Sequence, residues 1–220
     1  MTVKEKIKRV DECLDEIYAA GYVSFFEKMD SVNYFFQENC NADMMDFVLS
    51  HDLSGKRCQY LFIDNKNITE IQISGRMKLI HGLFMRCINL VNAQINTSGI
   101  NVVTDVFNGC TSLKNAGTLD FSSVGYASRT FQQCSALEEV RIVGAIGVTF
   151  DLHWSTKLSK DSINSIMRAL SETSSRQTLT LSLTAVNAAF ETSEGTADGS
   201  SSEEWETLAS TKTNWTISLA

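Results

Sequence analysis

The sequence predicts an α/β fold: a short right-handed solenoid of four to five coils, with a helical N-terminus and an α/β C-terminal cap that continues the solenoid. Three observations predict it. One pattern, F-x-x-C-x-x-L-x-x-[VIA]-x-[IT], recurs with phenylalanines at 62, 84, 107 and 131, so the steps are 22, 23 and 24 residues. A period of 20 to 29 residues marks stacked repeats, each too small to bury its own apolar face. Each copy also ends on a short alternation of apolar and polar residues, such as TEIQIS or EEVRIV, which is a strand with one buried face.

The copies align position by position. Phe131, Cys134, Leu137, Val140 and Ile142 fit the pattern, as do Phe107, Cys110, Leu113, Ala116 and Thr118, and Phe84, Cys87, Leu90, Ala93 and Ile95. An earlier copy, Phe62, Asn65, Ile68, Ile71 and Ile73, places asparagine in the cysteine slot. A fifth, worn copy reads Phe36, Asn39, Ala42, Met45 and Phe47. Before each strand, stretches such as VVTDVFNGCTSL carry apolar residues three and four apart, which suits a helical turn packing inward. Stacked coils bring like residues together, giving a core ladder of Phe62, Phe84, Phe107 and Phe131 beside Cys87, Cys110 and Cys134.

The cysteine spacings of 23 and 24 residues contain no local pair of the kind that holds a metal. Stacking would bring the thiols within disulfide range. Cysteine is also a small, often buried apolar residue, and Asn65 shows that the slot does not require sulfur. The expectation is buried, unbridged thiols, with Cys13, Cys40 and Cys58 outside the ladder and no cofactor.

Three segments are expected: a helical segment over 1–32, the repeats over 33–150 and the cap over 151–220. Val3, Ile7, Val10, Leu14 and Ile17 are spaced 4, 3, 4 and 3, the seam of a coiled coil through which a second copy could pair. The alternative is an amphipathic helix lying on the first coil. In LSKDSINSIMRAL, Ser159 is the expected N-cap of a helix with Ile163, Ile166, Met167 and Leu170 on one face. TLTLSL, Thr178 to Leu183, alternates as a strand, and Ser201 with Glu204 forms a capping box before a helix around Trp205, Leu208 and Ala209. WTISL closes the chain as a last strand, after a polar, Gly/Ser-rich loop.

Apolar residues make up 43% and charged residues 20%, a folded composition. The net charge of −7 argues against nucleic acid as a partner, since such footprints are basic. No apolar run approaches the roughly 20 residues that cross a bilayer. The N-terminus, MTVKEKIKRVDECLDE, lacks the apolar region of a secretory signal, so the expected location is cytoplasmic, or outside the cell by another route. There is no proline, which leaves turns to Gly, Asn, Asp and Ser.

The repeat unit resembles the BspA-like class of leucine-rich repeats, found in bacterial surface proteins and in phage or prophage structural proteins. It departs from the standard form, which only LVNAQINTSGI, Leu90 to Ile100, roughly completes, with serine in the asparagine slot. The order DSINSIMRAL, TLTLSL, ETSEGTADGSSSEEW and NWTISL is similar to the terminal region that follows such repeats in prophage-encoded proteins of gut bacteria. The resemblance implies binding or virion structure without catalysis: a tail-associated receptor-binding protein, or else a host-encoded cell-surface adhesin.

Side chains alternate across a strand, so Gln72, Gln94, Gly117 and Arg141 should face outward, flanked by Glu70, Asn92, Asn115 and Glu139. This amide-rich row suits hydrogen bonding to a protein or a cell-surface glycan. The plain alternative is a solvated sheet face. An enzyme is the remote reading: Asp151 could orient His153 as in a hydrolase. His51 and His81 have no such neighbour, HDLSGKR lacks a full phosphate loop, and no G-x-S-x-G occurs.

Overall fold

The computed structural model describes residues 30–34, 52–172, 175–190 and 203–220. The heptad positions Val3 to Ile17, the worn Phe36 copy, Cys13, Cys40, His51 and Ser201 lie outside these residues. The chain divides into two units, Met1–Ser31 and Val32–Ala220. The second unit holds, in order, β1 (Glu70–Ile73), β2 (Asn92–Ile95), β3 (Asn115–Asp120), β4 (Glu139–Val143), β5 (Phe150–Leu152), α1 (Lys160–Ala169), β6 (Gln177–Leu181), α2 (Leu183–Phe190), α3 (Glu203–Ser210) and β7 (Trp215–Leu219). Strands β1 to β4 form one parallel sheet in chain order, and β5, β6 and β7 form a second. Ile71 pairs with Ala93 and Ile73 with Ile95, so each strand sits one repeat along from the last. Parallel strands one repeat apart are the architecture of a leucine-rich-repeat fold.

The apolar side of the repeats is a column of rings. Phe62, Phe84, Phe107 and Phe131 stack with centroids 5.4, 5.6 and 5.4 Å apart and planes 7°, 12° and 11° from parallel. All four are fully buried. Phe150 ends the column edge-on, 6.1 Å from Phe131 and 5.2 Å from Phe121.

The segment before each strand is not a helical turn. Two residues per repeat have left-handed backbone, two before and two after the phenylalanine. Those before are Tyr60, Gly82, Asp105 and Arg129, with φ between 54° and 62°; those after are Asp64, Arg86, Gly109 and Gln133, with φ between 60° and 79°. Hydrogen bonds show why. The N–H groups of Tyr60, Phe62 and Asp64 donate to His81, Leu83 and Met85 of the next repeat, while those of Leu61, Ile63 and Asn65 donate three residues back. Donors therefore alternate between the neighbouring repeat and the local turn, whereas a helix would keep them all to itself. Each left-handed residue other than glycine costs on the order of 1 kcal/mol, offset by the inter-repeat bonds it permits. Two of these positions also pair across repeats. Arg129 donates to both Asp105 oxygens, at 2.8 and 2.7 Å, and Arg86 to Asp64 at 2.6 Å.

The ladder cysteines are free and buried, and each reaches back one repeat. The thiols of Cys87, Cys110 and Cys134 donate to the carbonyls of Phe62, Phe84 and Phe107, each at 3.0 Å. Asn65, in the same slot, instead accepts the N–H groups of Asn67 and Ile68 at 2.9 and 3.1 Å. The slot is thus a hydrogen-bonding position as well as a packing one.

Strand β3 departs from the expected register. A bulge at Gly117, which has φ 66°, shifts the pairing so that Thr118 lies opposite Arg141 and Leu119 opposite Ile142. Leu119 is buried and Thr118 half-buried. The inward slot predicted for Thr118 therefore belongs to Leu119, and Thr118 takes the place in the row assigned to Gly117. A Cβ at 117 would stand 3.0 Å from the Ala93 carbonyl oxygen.

Helix α1 closes the edge of the first sheet at β4. Ser159 is its N-cap, its side chain accepting from the Ser162 N–H at 3.2 Å. Ser162 and Ser165 accept the N–H groups of Val140 and Ile142 at 3.0 and 2.9 Å and donate to the Glu138 and Ile142 carbonyls. Replacing both serines by alanine leaves two strand donors without acceptors, at about 1–3 kcal/mol each. Urea melts check this against Asn164→Ala on the same helix; equal shifts for the two variants would remove the edge-closing role. Further on, the predicted strand over Thr178 to Leu183 stops at Leu181, and Leu183 begins α2, which turns Ala185, Val186 and Phe190 inward.

Candidate binding face

The pleat of β1, β2 and β4 turns one side of the first sheet inward and the other outward, so Glu70, Gln72, Asn92, Gln94, Glu139 and Arg141 are all exposed. Asn115 is exposed at the head of β3. Parallel pairing lines these up across strands: Glu70 with Asn92 and Gln72 with Gln94, then Asn115 with Glu139 and, beyond the bulge, Thr118 with Arg141. All six predicted site residues, Gln72, Gln94, Asn92, Asn115, Glu139 and Arg141, are thus placed on one face.

Their side chains differ in what they already hold. Asn92 donates to Glu70 at 2.9 Å, Asn115 accepts the Gly117 N–H at 2.7 Å, and Glu139 accepts from the Ser162 hydroxyl at 3.3 Å. The side chains of Gln72, Gln94 and Arg141 make no hydrogen bond or ion pair among the described residues. Two hollows lie along the face. One, of about 380 Å³, is lined by Glu70, Gln72, Asn92, Gln94 and Asn115. The other, of about 780 Å³, lies between β4 and α1, lined by Thr118, Glu139 and Arg141 on the sheet and Asp161, Asn164 and Arg168 on the helix.

The helix wall was missed by pattern reading. Asp161, Asn164 and Arg168 are three and four residues apart in DSINSIMR and so share one side of α1. That was the available signal. That this side borders the sheet follows only from Ser162 and Ser165 meeting β4.

The Asp151 and His153 pair has a local explanation. Asp151 Oδ1 accepts the His153 N–H at 3.0 Å and lies 2.7 Å from Nδ1. The same turn recurs where Asp52, Asn96 and Asp120 accept the N–H two residues on, from Ser54, Ser98 and Ser122. His153 borders neither hollow, and the nearby Ser155 hydroxyl is fully buried. His81 lies 3.8 Å from Asp105, itself paired with Arg129. Burial would raise the Asp105 carboxyl, but the Arg129 and Asn108 hydrogen bonds and the Arg129 and His81 charges bring it below the ordinary value. Among the described residues no cluster could hold a metal ion, and no helix is long and apolar enough to cross a membrane.

The family described as BspA type leucine rich repeat region, in six copies, matches residues 11–114 and 55–181. No curated protein and no solved structure matches the chain. The family match spans most of the sequence, and the parallel strands and stacked phenylalanines follow its repeat: the chain belongs to the BspA-type leucine-rich-repeat family.

Proposed function

We propose that the chain is a non-catalytic binding module that recognises a polar partner, a protein or a cell-surface glycan, on the outward face of β1 to β4. The supporting observation is the row itself: Gln72, Gln94 and Arg141 are exposed and hold no partner among the described residues. An amide both donates and accepts, so such a row meets a hydroxyl- or amide-rich surface with little rearrangement. No catalytic role is assigned to Asp151 and His153, whose geometry repeats that of turns elsewhere in the chain.

Around this face the reading is a solenoid of four to five coils between an N-terminal helical segment and a C-terminal cap, with pairing of two copies through the heptad seam. Its proposed setting is a phage or prophage tail, on the similarity of the C-terminal segment order to prophage-encoded proteins. A host-encoded surface adhesin is the second setting. Tail and baseplate genes alongside the coding sequence would support the first, export and anchoring genes the second.

The test is the variant carrying both Gln94→Ala and Arg141→Ala, assayed on bacterial cells and on isolated cell-wall polysaccharide. Affinity should fall about tenfold or more, equivalent to about 1.4 kcal/mol. Unchanged binding, with loss on substituting Glu203 and Glu204 instead, would move recognition to the C-terminal segment.

A further inference from the structure

The hollow between β4 and α1 has ends of opposite charge. Val140 meets Ser162 and Ile142 meets Ser165, so the helix advances three residues for every two of the strand. Glu139 and Asp161 therefore stand at one end, and Arg168 comes level with Gly144 at the other, with Arg141 between. The acids already have structural tasks. Glu139 accepts from Ser162, and Asp161 complements the partial positive charge at the start of α1. The arginines are less committed. Arg168 lies in the last turn of α1, where its charge suits the helix end. Neither it nor Arg141 uses a guanidinium donor among the described residues.

Two exposed guanidiniums lining one hollow, each with five N–H donors in a fixed fork, match a carboxylate or phosphate group. The rest of the face favours a sugar chain over a peptide. Protein interfaces are usually anchored by buried aromatic side chains, yet the exposed large apolar residues, Tyr34, Ile88, Tyr126 and Trp154, line neither hollow. The neighbouring strands instead offer the uncommitted amides of Gln72 and Gln94. We infer that the face holds an anionic polysaccharide lying across the strands, with one carboxylate or phosphate group seated between Arg141 and Arg168. This rests on the proposed binding function and specifies the ligand class.

The experiment compares the whole chain on polygalacturonate, poly(glycerol phosphate), neutral dextran and poly-glutamate at low ionic strength. At least one anionic polysaccharide should bind tenfold or more tighter than dextran and poly-glutamate, and salt should weaken it. Preference for polygalacturonate identifies a carboxylate and preference for poly(glycerol phosphate) a phosphate; either supports the inference. Arg168→Gln should abolish most of that preference without moving the urea midpoint, and Arg168→Lys should restore it only in part. Equal binding to dextran, equal or tighter binding to poly-glutamate, or no binding to either anionic polysaccharide overturns the inference. So does an Arg168→Gln variant that binds like the parent. If the Gln94→Ala and Arg141→Ala variant still loses cell-wall binding in any of these cases, the face remains the binding site and only the anionic subsite is lost.

Discussion

Phe107→Ala should lower the stability of the repeats by about 3–5 kcal/mol, the range for emptying a large, packed aromatic site. Phe107 lies between two parallel rings, 5.6 Å from Phe84 and 5.4 Å from Phe131. The site has little freedom to collapse, because the main chain on both sides is tied across repeats. The Phe107 N–H donates to Thr130, the Phe84 N–H donates to Val106, and the Cys134 thiol donates to the Phe107 carbonyl. Gln94→Ala, on the outward side of β2, should change stability by no more than roughly 0.5 kcal/mol. The measurement is the urea midpoint of each variant at unchanged slope. Similar losses at the two positions would mean that the inward and outward sides have been assigned wrongly.

A steep loss of stability in alkali is the second large effect. Burial pushes the Cys58, Cys87 and Cys134 thiols up to about 12, and Cys110 well above its ordinary value of 9.0. An unfolded chain loses these protons from about pH 9 upward, while the native chain keeps them to about pH 12. The unfolded state then binds fewer protons, so stability falls as pH rises through this window and the contribution is complete below it. Each thiol accounts for about 1.4 kcal/mol per pH unit, so the four together reach about 5 kcal/mol per unit. Typical domain stabilities of about 5–15 kcal/mol would be exhausted before pH 12. Urea melts between pH 8 and about 11 follow the loss, with Cys110→Ala expected to reduce the slope by about one thiol's share. A variant that shows the parent slope would remove the buried thiols as its cause.

The parts of the fold that could be read from sequence are those in which neighbouring repeats use like residues for like positions. Stacked phenylalanines recur at a fixed period because only a similar ring fills the place above another, and the strands show through Ile71, Ile73, Ala93 and Ile95 alternating with polar residues. Left-handed backbone at Tyr60, Arg86, Arg129 and Gln133 could not be read this way. None of these residue types favours that region, and it is imposed by hydrogen bonds to a repeat more than twenty residues away. The bulge in β3 did carry a signal, since a glycine within a strand pattern often marks one. The residues of the face followed from alternation alone. Arg168 did not, because its place depends on two serine hydroxyls meeting the edge of β4. Helix α2 gave little warning: LTAVNAAF has no charged side to set a helical period against.

That edge has a consequence for how such a chain can change over generations. Ser162 and Ser165 meet β4 almost entirely through main-chain N–H and C=O groups, which every repeat possesses whatever its side chains. A gene that gains or loses the coding length of one whole repeat still presents α1 with the same groups in the same order. The terminating helix needs no compensating substitution, and Arg168 travels with it to the new end. Lineages can therefore alter the span of the exposed face by unequal crossing-over within the repeats while keeping an identical terminus.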